Sequence, residues 1–92
     1  MKYDNVMIRH VRIIDPAGRL DSVGHLLIGE GEIVAAGEVD PEQIPKGSCV
    51  IDGTGLVACP GFIDLHCHLR EPGFEYKETI SAGSKAAAKG GF

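Results

Sequence analysis

Residues 59–73, CPGFIDLHCHLREPG, decide how this chain is organised. Within them, residues 62–70 alternate apolar and polar side chains with a period of two, which is typical of a β-strand. His66 and His68 lie two positions apart, so on a strand their side chains point the same way. The pattern predicts two imidazoles side by side at the end of a strand, where they can bind a metal ion.

The same alternation assigns the stretch a packing face and a site face. The packing face consists of Ile63, Leu65, Cys67 and Leu69, and the site face consists of Asp64, His66, His68 and Arg70. An apolar side against helices and active groups near the carboxyl end are typical of the first strand of a (β/α)₈ barrel. Cys67 is therefore predicted to be a small buried residue, and Asp64 a structural group that could orient a ligand.

A helix is predicted after the loop that contains Glu71-Pro72-Gly73. Residues 79–89 are rich in Ala and Lys, Thr79 is a suitable N-cap, and Gly90-Gly91 a suitable stop. Phe92 would then begin another strand. Strand, loop and helix make one β/α unit, and a barrel needs eight. We therefore expect the chain to be the N-terminal piece of a longer protein, of class α/β.

The residues before this stretch are predicted to form part of a small β-sandwich. Strands are expected at residues 6–8, 11–14, 25–28, 32–37, 49–52 and 56–58, with turn-forming residues between them. The runs on either side of Gly29-Glu30-Gly31 predict a hairpin, and residues 40–47 predict a loop. We divide the chain into residues 1–58, the sandwich portion, and residues 59–92, the truncated first β/α unit of a barrel.

Composition excludes several classes of protein. The 92 residues carry a net charge of −4, are 43% apolar, and contain no basic run that would suggest nucleic acid. No apolar stretch approaches the roughly 20 residues that span a bilayer, and residues 1–6 lack the apolar core of a signal peptide. The three cysteines show no CxxC spacing, so neither a disulfide framework nor a thiolate zinc site is indicated. A cytoplasmic protein is expected.

The decisive stretch also resembles a known family. Residues 60–68, PGFIDLHCH, are similar to the PG-x-ID-x-H-x-H opening of the amidohydrolase superfamily, metal-dependent hydrolases built on a (β/α)₈ barrel with a small β-sandwich. The continuation at residues 69–79, LREPGFEYKET, resembles the dihydroorotases of bacteria and of multifunctional pyrimidine enzymes. The close resemblance covers residues 59–92, whereas the earlier β segment matches in character more than in letters.

The resemblance implies an activity and a set of roles. Dihydroorotases interconvert L-dihydroorotate and N-carbamoyl-L-aspartate in pyrimidine biosynthesis. His66 and His68 would bind the metal, usually Zn²⁺, of which a complete active site holds one or two. Arg70 would bind the substrate carboxylate, which a guanidinium fork fits. The family's other metal ligands and its general base lie beyond the first β/α unit. No catalytic residue is therefore expected within this chain, which by itself is predicted to be inactive.

Two alternative functions share these residues. Other cyclic-amide hydrolases, such as allantoinases and hydantoinases, have the same H-x-H opening, although Arg70 and Lys77-Glu78 favour a carboxylate-bearing substrate. A non-catalytic dihydroorotase-like partner of aspartate transcarbamoylase is the second alternative, and the presence of both histidines argues against it. The expected partners are the small-molecule substrate, a second copy of the chain, or aspartate transcarbamoylase, with no nucleic acid and no membrane.

Individual side chains also have simpler interpretations. Arg70 could form a weak surface ion pair with Glu71 or Glu75, and Lys77 could pair with Glu78 across the start of the helix. His10 and His25, in the β segment, are predicted to be ordinary polar strand positions.

Overall fold

The computed structural model describes residues 4–92 and divides the chain into two units, one ending at Pro60 and the other spanning Gly61–Phe92. Residues 1–3, part of the segment considered for a signal peptide, lie outside the described residues. The first unit contains the strands β1 (Asn5–Asp15), β2 (Leu20–Gly29), β3 (Glu32–Gly37), β4 (Cys49–Asp52) and β5 (Val57–Ala58), with a 3₁₀ turn at Pro41–Gln43. The second unit contains the helix α1 (Ile80–Lys89).

The strands of the first unit form one mixed sheet in the order β3-β2-β1-β4. Strands β1, β2 and β3 pair antiparallel through tight turns, whereas β4 and β5 run parallel to β1 and pair with successive parts of it. The β-rich character expected for this part of the chain is confirmed. Within residues 4–60 the strands form a single sheet, so the second layer of the expected sandwich stays a prediction.

A β-bulge joins two runs that the sequence predicts as separate strands. Residues Val6–Ile8 and Val11–Ile14 are both part of β1, and the register against β2 shifts between Ile8 and Val11. His10 occupies the bulge with φ of +55°. The extra residue changes which face the following side chains occupy, because side chains alternate along a strand. Ile8 and Val11 consequently face the same apolar cluster although their numbers differ in parity.

The sheet has an apolar cluster on each face. One cluster consists of Met7, Leu27 and Val39, and the other of Val11, Ile13 and Leu26. Met7 lies opposite Leu27 in the β1–β2 register. The next pair, Ile8 and Leu26, points to the other face. These buried side chains hold the antiparallel ladder together, because removing apolar surface from water is the main favourable term in folding.

The hairpin predicted around Gly29-Glu30-Gly31 is confirmed, with β2 and β3 joined by a two-residue turn. Glu30 and Gly31 both have positive φ, at +52° and +82°. This is the type I′ geometry, whose twist matches that of the flanking strands. The loop predicted at residues 40–47 is also present and includes the 3₁₀ turn.

The strand predicted at residues 62–69 is wrong for this structure, which shows no strand at any of these positions. The packing face is open: Ile63 is 83% exposed, Leu65 is 95% exposed, and Cys67 is exposed where burial was predicted. A strand is stabilised by hydrogen bonds to a neighbour, and no other strand within residues 4–92 pairs with this segment. The alternation in the sequence therefore lacks the partner that would convert it into a strand.

The helix prediction is confirmed at both ends. The Thr79 hydroxyl accepts a hydrogen bond from the backbone N–H of Ala82 at 3.2 Å, which is N-cap geometry. Gly90 is the C-cap, and Gly91 follows it with φ of +95°. Gly83 is the buried residue of α1, and a Cβ at this position would lie 2.9 Å from Cδ2 of Leu69. The small residue lets Leu69, the half-buried member of the predicted packing face, lie against the helix.

Candidate metal and substrate site

His66 and His68 converge on one point in the Gly61–Phe92 unit. Their Nε2 atoms are 3.0 Å apart, and their ring centroids are separated by 5.0 Å. Both side chains are exposed. The sequence predicts that the two imidazoles lie side by side, and the structure brings them together even though the segment is not a strand.

The separation of the two nitrogens fits two ligands of a single ion. Nitrogens bound to one zinc ion at about 2.0–2.1 Å in tetrahedral geometry lie about 3.3 Å apart. Two neutral imidazoles at 3.0 Å can also share one hydrogen bond, with one ring donating and the other accepting. In either case both Nε2 atoms point at the same region, so the donor set fits one divalent ion at two of its coordination positions.

Asp64 contacts the backbone of the first histidine and not its ring. Its Oδ1 accepts a hydrogen bond from the N–H of His66 at 3.0 Å, an Asx turn. The turn bends the chain at the histidine pair and fixes the direction in which the His66 side chain leaves the backbone. This supports the structural role predicted for Asp64, through a main-chain contact that the sequence pattern does not specify.

Arg70 is present at the end of the segment, but the strand parity used to place it does not persist. Its φ is +64°, in the left-handed region that residues with a Cβ seldom adopt. Its carbonyl oxygen accepts from the N–H of Phe74 at 2.9 Å, so the chain turns sharply after Arg70. The side chain is exposed, and within residues 4–92 no ion pair joins it to Glu71 or Glu75.

The two glutamates considered as partners of Arg70 bind backbone N–H groups instead. Oε2 of Glu71 accepts from the N–H of Ile80, the first residue of α1, at 2.7 Å. Oε1 of Glu75 accepts from the N–H of Gly73 at 3.0 Å. The pKa of Glu75 lies below its ordinary value, because the N–H groups of Gly73 and of Glu75 itself bind the charged form.

The contact of Glu71 with the helix was not predicted from the sequence, which suggested an ion pair with Arg70 instead. Its interaction with α1 spans nine positions, so helical spacing does not reveal it. A carboxylate beside the free N–H groups at a helix start is favourable, because these groups and the helix dipole place positive charge there. The available signal was an acidic side chain in the loop that leads to a predicted N-cap.

Lys77 lies against aromatic rings and not against Glu78. Its Nζ is 5.3 Å from the ring centroid of Phe74 and 5.8 Å from that of Tyr76, which is cation–π geometry. The ion pair predicted between Lys77 and Glu78 is therefore absent from the described contacts. The half-buried Glu78 lies near Gly83 of α1 instead.

The segment that carries the histidines is also tied at its beginning. The N–H of Phe62 donates to the carbonyl of Gly91 at 2.7 Å, and the rings of Phe62 and Phe92 are 5.5 Å apart. This bond joins the first residue of the predicted strand to Gly91, which lies immediately before Phe92, the residue predicted to begin the next strand. Together with the contact of Leu69 at Gly83, it places the histidine pair between two attachment points.

The remaining histidines form a separate pair in the sheet. The N–H of His10 donates to Nδ1 of His25 at 3.2 Å, and the rings meet edge to face at 5.1 Å. Both histidines lie in strands as predicted, but His10 occupies the β1 bulge, whose backbone this bond supports. Among residues 4–92 no three His, Cys, Asp or Glu side chains are grouped so that they could hold a metal ion. The described part of the chain thus presents two converging ligands and no third.

The segment that carries the two histidines is similar to a known protein family. Residues 55–92 match the family described as "Dihydro-orotase-like". The chain is 52% identical over 87 residues to a dihydroorotase of Solibacter usitatus (strain Ellin6076), with 95% of the chain covered. It is 48% identical over all 92 residues to a dihydroorotase of Elusimicrobium minutum (strain Pei191), and 46% identical over 87 residues, 95% of the chain, to one of Syntrophus aciditrophicus (strain SB).

The matches show a similarity first to a family and then to a group of named proteins. The family match covers the motif with both histidines and Arg70, so the site segment is similar to that family. The similarity to proteins named dihydroorotase then extends over the sheet as well, which confirms the resemblance read from the sequence and widens it. The chain spans about a fifth of the length of each of these relatives.

Proposed function

We propose that this chain forms the beginning of a dihydroorotase, an enzyme that hydrolyses the cyclic amide of L-dihydroorotate reversibly to N-carbamoyl-L-aspartate. The observation that carries the proposal is the convergence of the His66 and His68 Nε2 atoms, 3.0 Å apart, inside a segment that matches the dihydro-orotase-like family. The similarity to three dihydroorotases over almost the whole chain supports it.

In this proposal His66 and His68 hold a Zn²⁺ ion, and one or two such ions complete the active site. A bound divalent ion supplies an activated water and polarises the amide carbonyl. The histidines contribute neutral imidazole nitrogens, and Asp64 keeps His66 directed at the site through its backbone. The contribution of this chain is thus to bind and orient.

Arg70 binds the carboxylate of the substrate in this proposal. Its exposed guanidinium has no carboxylate partner within residues 4–92, since Glu71 and Glu75 are engaged by backbone N–H groups. A planar fork of donors suits a carboxylate and keeps its charge at any physiological pH. A substrate with a carboxylate is therefore preferred over allantoin or hydantoin, which lack one.

The same proposal assigns the architecture and the location. Residues 1–58 would be part of the β-sandwich, and residues 59–92 the first β/α unit of a (β/α)₈ barrel. The bond between Phe62 and Gly91 supports this assignment, because it ties the start of the first predicted barrel strand to the residue just before Phe92, where the next would begin. In the described residues, α1 is not long or apolar enough to cross a membrane. A cytoplasmic location is part of the proposal.

A chimaeric enzyme tests the proposed function. The chain would replace the matching first fifth of the Solibacter usitatus dihydroorotase, to which it is 52% identical, and the product would be assayed with L-dihydroorotate, allantoin and hydantoin. We expect turnover of L-dihydroorotate alone. His66→Ala and His68→Ala should each lower the amount of bound zinc and reduce activity at least about 100-fold, because removing one ligand weakens binding of the ion. Arg70→Ala should raise KM with the zinc content unchanged.

His10→Ala is the matched control, since it removes an imidazole from the separate pair in the sheet. It should leave zinc content unchanged. A well-folded chimaera that binds zinc but prefers allantoin or hydantoin would replace the proposed substrate by another cyclic amide. A folded chimaera without zinc and without activity would support a non-catalytic chain.

A further inference from the structure

Arg70 occupies a backbone conformation that its own side chain disfavours. With φ of +64°, Arg70 lies in the left-handed region, where its Cβ is crowded by the following carbonyl oxygen. Such a conformation persists only when neighbouring interactions fix it. Hydrogen bonds close to Arg70 in the loop therefore hold this conformation and, with it, the direction in which the side chain leaves the backbone.

Two hydrogen bonds fix the chain immediately after this residue. The carbonyl of Arg70 itself accepts from the N–H of Phe74 at 2.9 Å. One position later, the Glu71 carboxylate accepts from the N–H of Ile80 at 2.7 Å and ties the loop to the start of α1. The second bond is the stronger anchor, because its acceptor is charged and lies at the positive end of a helix of ten residues.

The same bond keeps the guanidinium available. Glu71 is the sequence neighbour of Arg70, and a free carboxylate there could pair with it and neutralise its charge. In the structure its Oε2 is committed to Ile80, and Oε1 of Glu75 is committed to Gly73. The nearby carboxylates in the loop are thus bound to backbone N–H groups.

We propose that Glu71 is the positioning residue for Arg70: docked on the first N–H of α1, it holds Arg70 in its left-handed conformation and leaves the guanidinium free for a substrate carboxylate. The role of Arg70 toward substrate rests on the proposed function, whereas the effect of Glu71 on the Arg70 backbone does not. Glu71 acts through Arg70 and touches no reacting atom in this assignment.

The first arm of the test uses the 92-residue chain and NMR spectroscopy without any ligand. Glu71→Ala should speed exchange of the Ile80 amide roughly 10-fold, the effect of losing one charge-assisted hydrogen bond, and should shift the Arg70 amide resonance. Glu71→Gln retains an acceptor and should show a smaller change in both. Thr79→Ala removes the other cap of the same helix, so it should speed exchange at Ala82 and leave Arg70 unchanged.

The second arm measures kinetics in the chimaera described above. Glu71→Ala should raise KM for L-dihydroorotate roughly 10-fold with a much smaller change in kcat, Glu71→Gln should recover most of the loss, and Thr79→Ala should change KM less than about twofold. Equal effects of Glu71→Ala and Thr79→Ala on Arg70 and on KM would reduce Glu71 to a helix cap and overturn the proposal. An unchanged Arg70 resonance in Glu71→Ala would overturn it as well.

The two arms separate this inference from the function on which it partly rests. If the unsubstituted chimaera fails to convert L-dihydroorotate, the proposed function fails, and the NMR arm still decides whether Glu71 fixes the Arg70 backbone. If the chimaera is active and Glu71→Ala has wild-type KM, the function stands and the positioning role is rejected.

Discussion

Three carboxylates near the candidate site bind backbone N–H groups. Asp64 binds the N–H of His66, Glu71 that of Ile80, and Glu75 that of Gly73. Each is exposed, so each bond contributes modest stability, but each fixes a turn next to a residue of the candidate site. Glu71 and Glu75, which the sequence suggested as ion-pair partners of Arg70, instead shape the loop by binding backbone N–H groups.

Asp21 provides a pH prediction at the same scale. It forms a two-bond ion pair with Arg12, with distances of 2.8 and 2.9 Å, and the Arg12 hydrogen bonds lower the pKa of Asp21. A carboxyl group whose pKa is lower in the folded chain than in the unfolded chain stabilises the fold at any pH above the unfolded-state pKa. This stabilisation is lost as the pH falls through the folded-state pKa. Carbon-13 NMR of the Asp21 carboxyl should show the lowered pKa.

Arg12→Gln is the corresponding control. It should return the Asp21 pKa toward its ordinary value and flatten the pH dependence of stability in the acidic range. The effect on stability at neutral pH should be small, because both side chains are half exposed and solvent screens the pair. An Asp21 pKa that is the same with and without Arg12 would contradict this interpretation.

At the scale of elements, the pairing of β1 with two successive strands depends on a glycine. Between β4 and β5 the chain runs alongside β1 and approaches it closely at Gly53. The N–H of Gly53 donates to the carbonyl of Arg9 at 2.6 Å. A Cβ at this position would lie 2.7 Å from Cβ of Val11 and 2.8 Å from the Arg9 oxygen. The approach of the two backbones is therefore possible only without a side chain.

Gly53→Ala should accordingly destabilise the sheet by about 1–3 kcal/mol, the usual cost of forcing an extra methyl group into a packed site. The free energy of unfolding from urea denaturation, followed by the circular dichroism of the sheet, measures this change. Ser22→Ala, an exposed substitution in β2, is the matched control and should change the free energy by less than about 0.5 kcal/mol. Equal effects of the two variants would show that β1 and the segment at Gly53 can move apart.

The whole molecule presents a site with two converging ligands. His66 and His68 meet at 3.0 Å, and no third potential ligand joins them in the described residues. A catalytic zinc site needs three protein ligands and an open position. The purified 92-residue chain should therefore show no turnover of L-dihydroorotate above the zinc-only background, whereas the chimaera should be active. Turnover by the purified chain that is lost in His66→Ala would contradict this expectation.

Several features could be predicted from the sequence because local chemistry determines them. Glycine at a position of positive φ gives the β2–β3 turn, and a threonine hydroxyl at the first turn gives the start of α1. The proximity of His66 and His68 was predicted from strand alternation, but in the structure the two rings meet at a bend that the Asp64 side chain stabilises. The resemblance to dihydroorotases rested on the letters around these histidines.

Tertiary structure alone decided the rest, because it depends on groups far apart in the chain. Alternation at residues 62–69 predicts an apolar and a polar face, but a strand also needs a neighbouring strand for its hydrogen bonds. Within residues 4–92 the backbone of this segment has one such bond, from the N–H of Phe62 to the carbonyl of Gly91. Glu71 binds the N–H of Ile80, nine positions away, and neither helical nor strand periodicity predicts this contact. The left-handed backbone of Arg70 is likewise not predicted by either pattern. The letters of the motif named His66, His68 and Arg70 as candidates, whereas the folded chain determined the backbone conformation of Arg70 and the bonds that follow it.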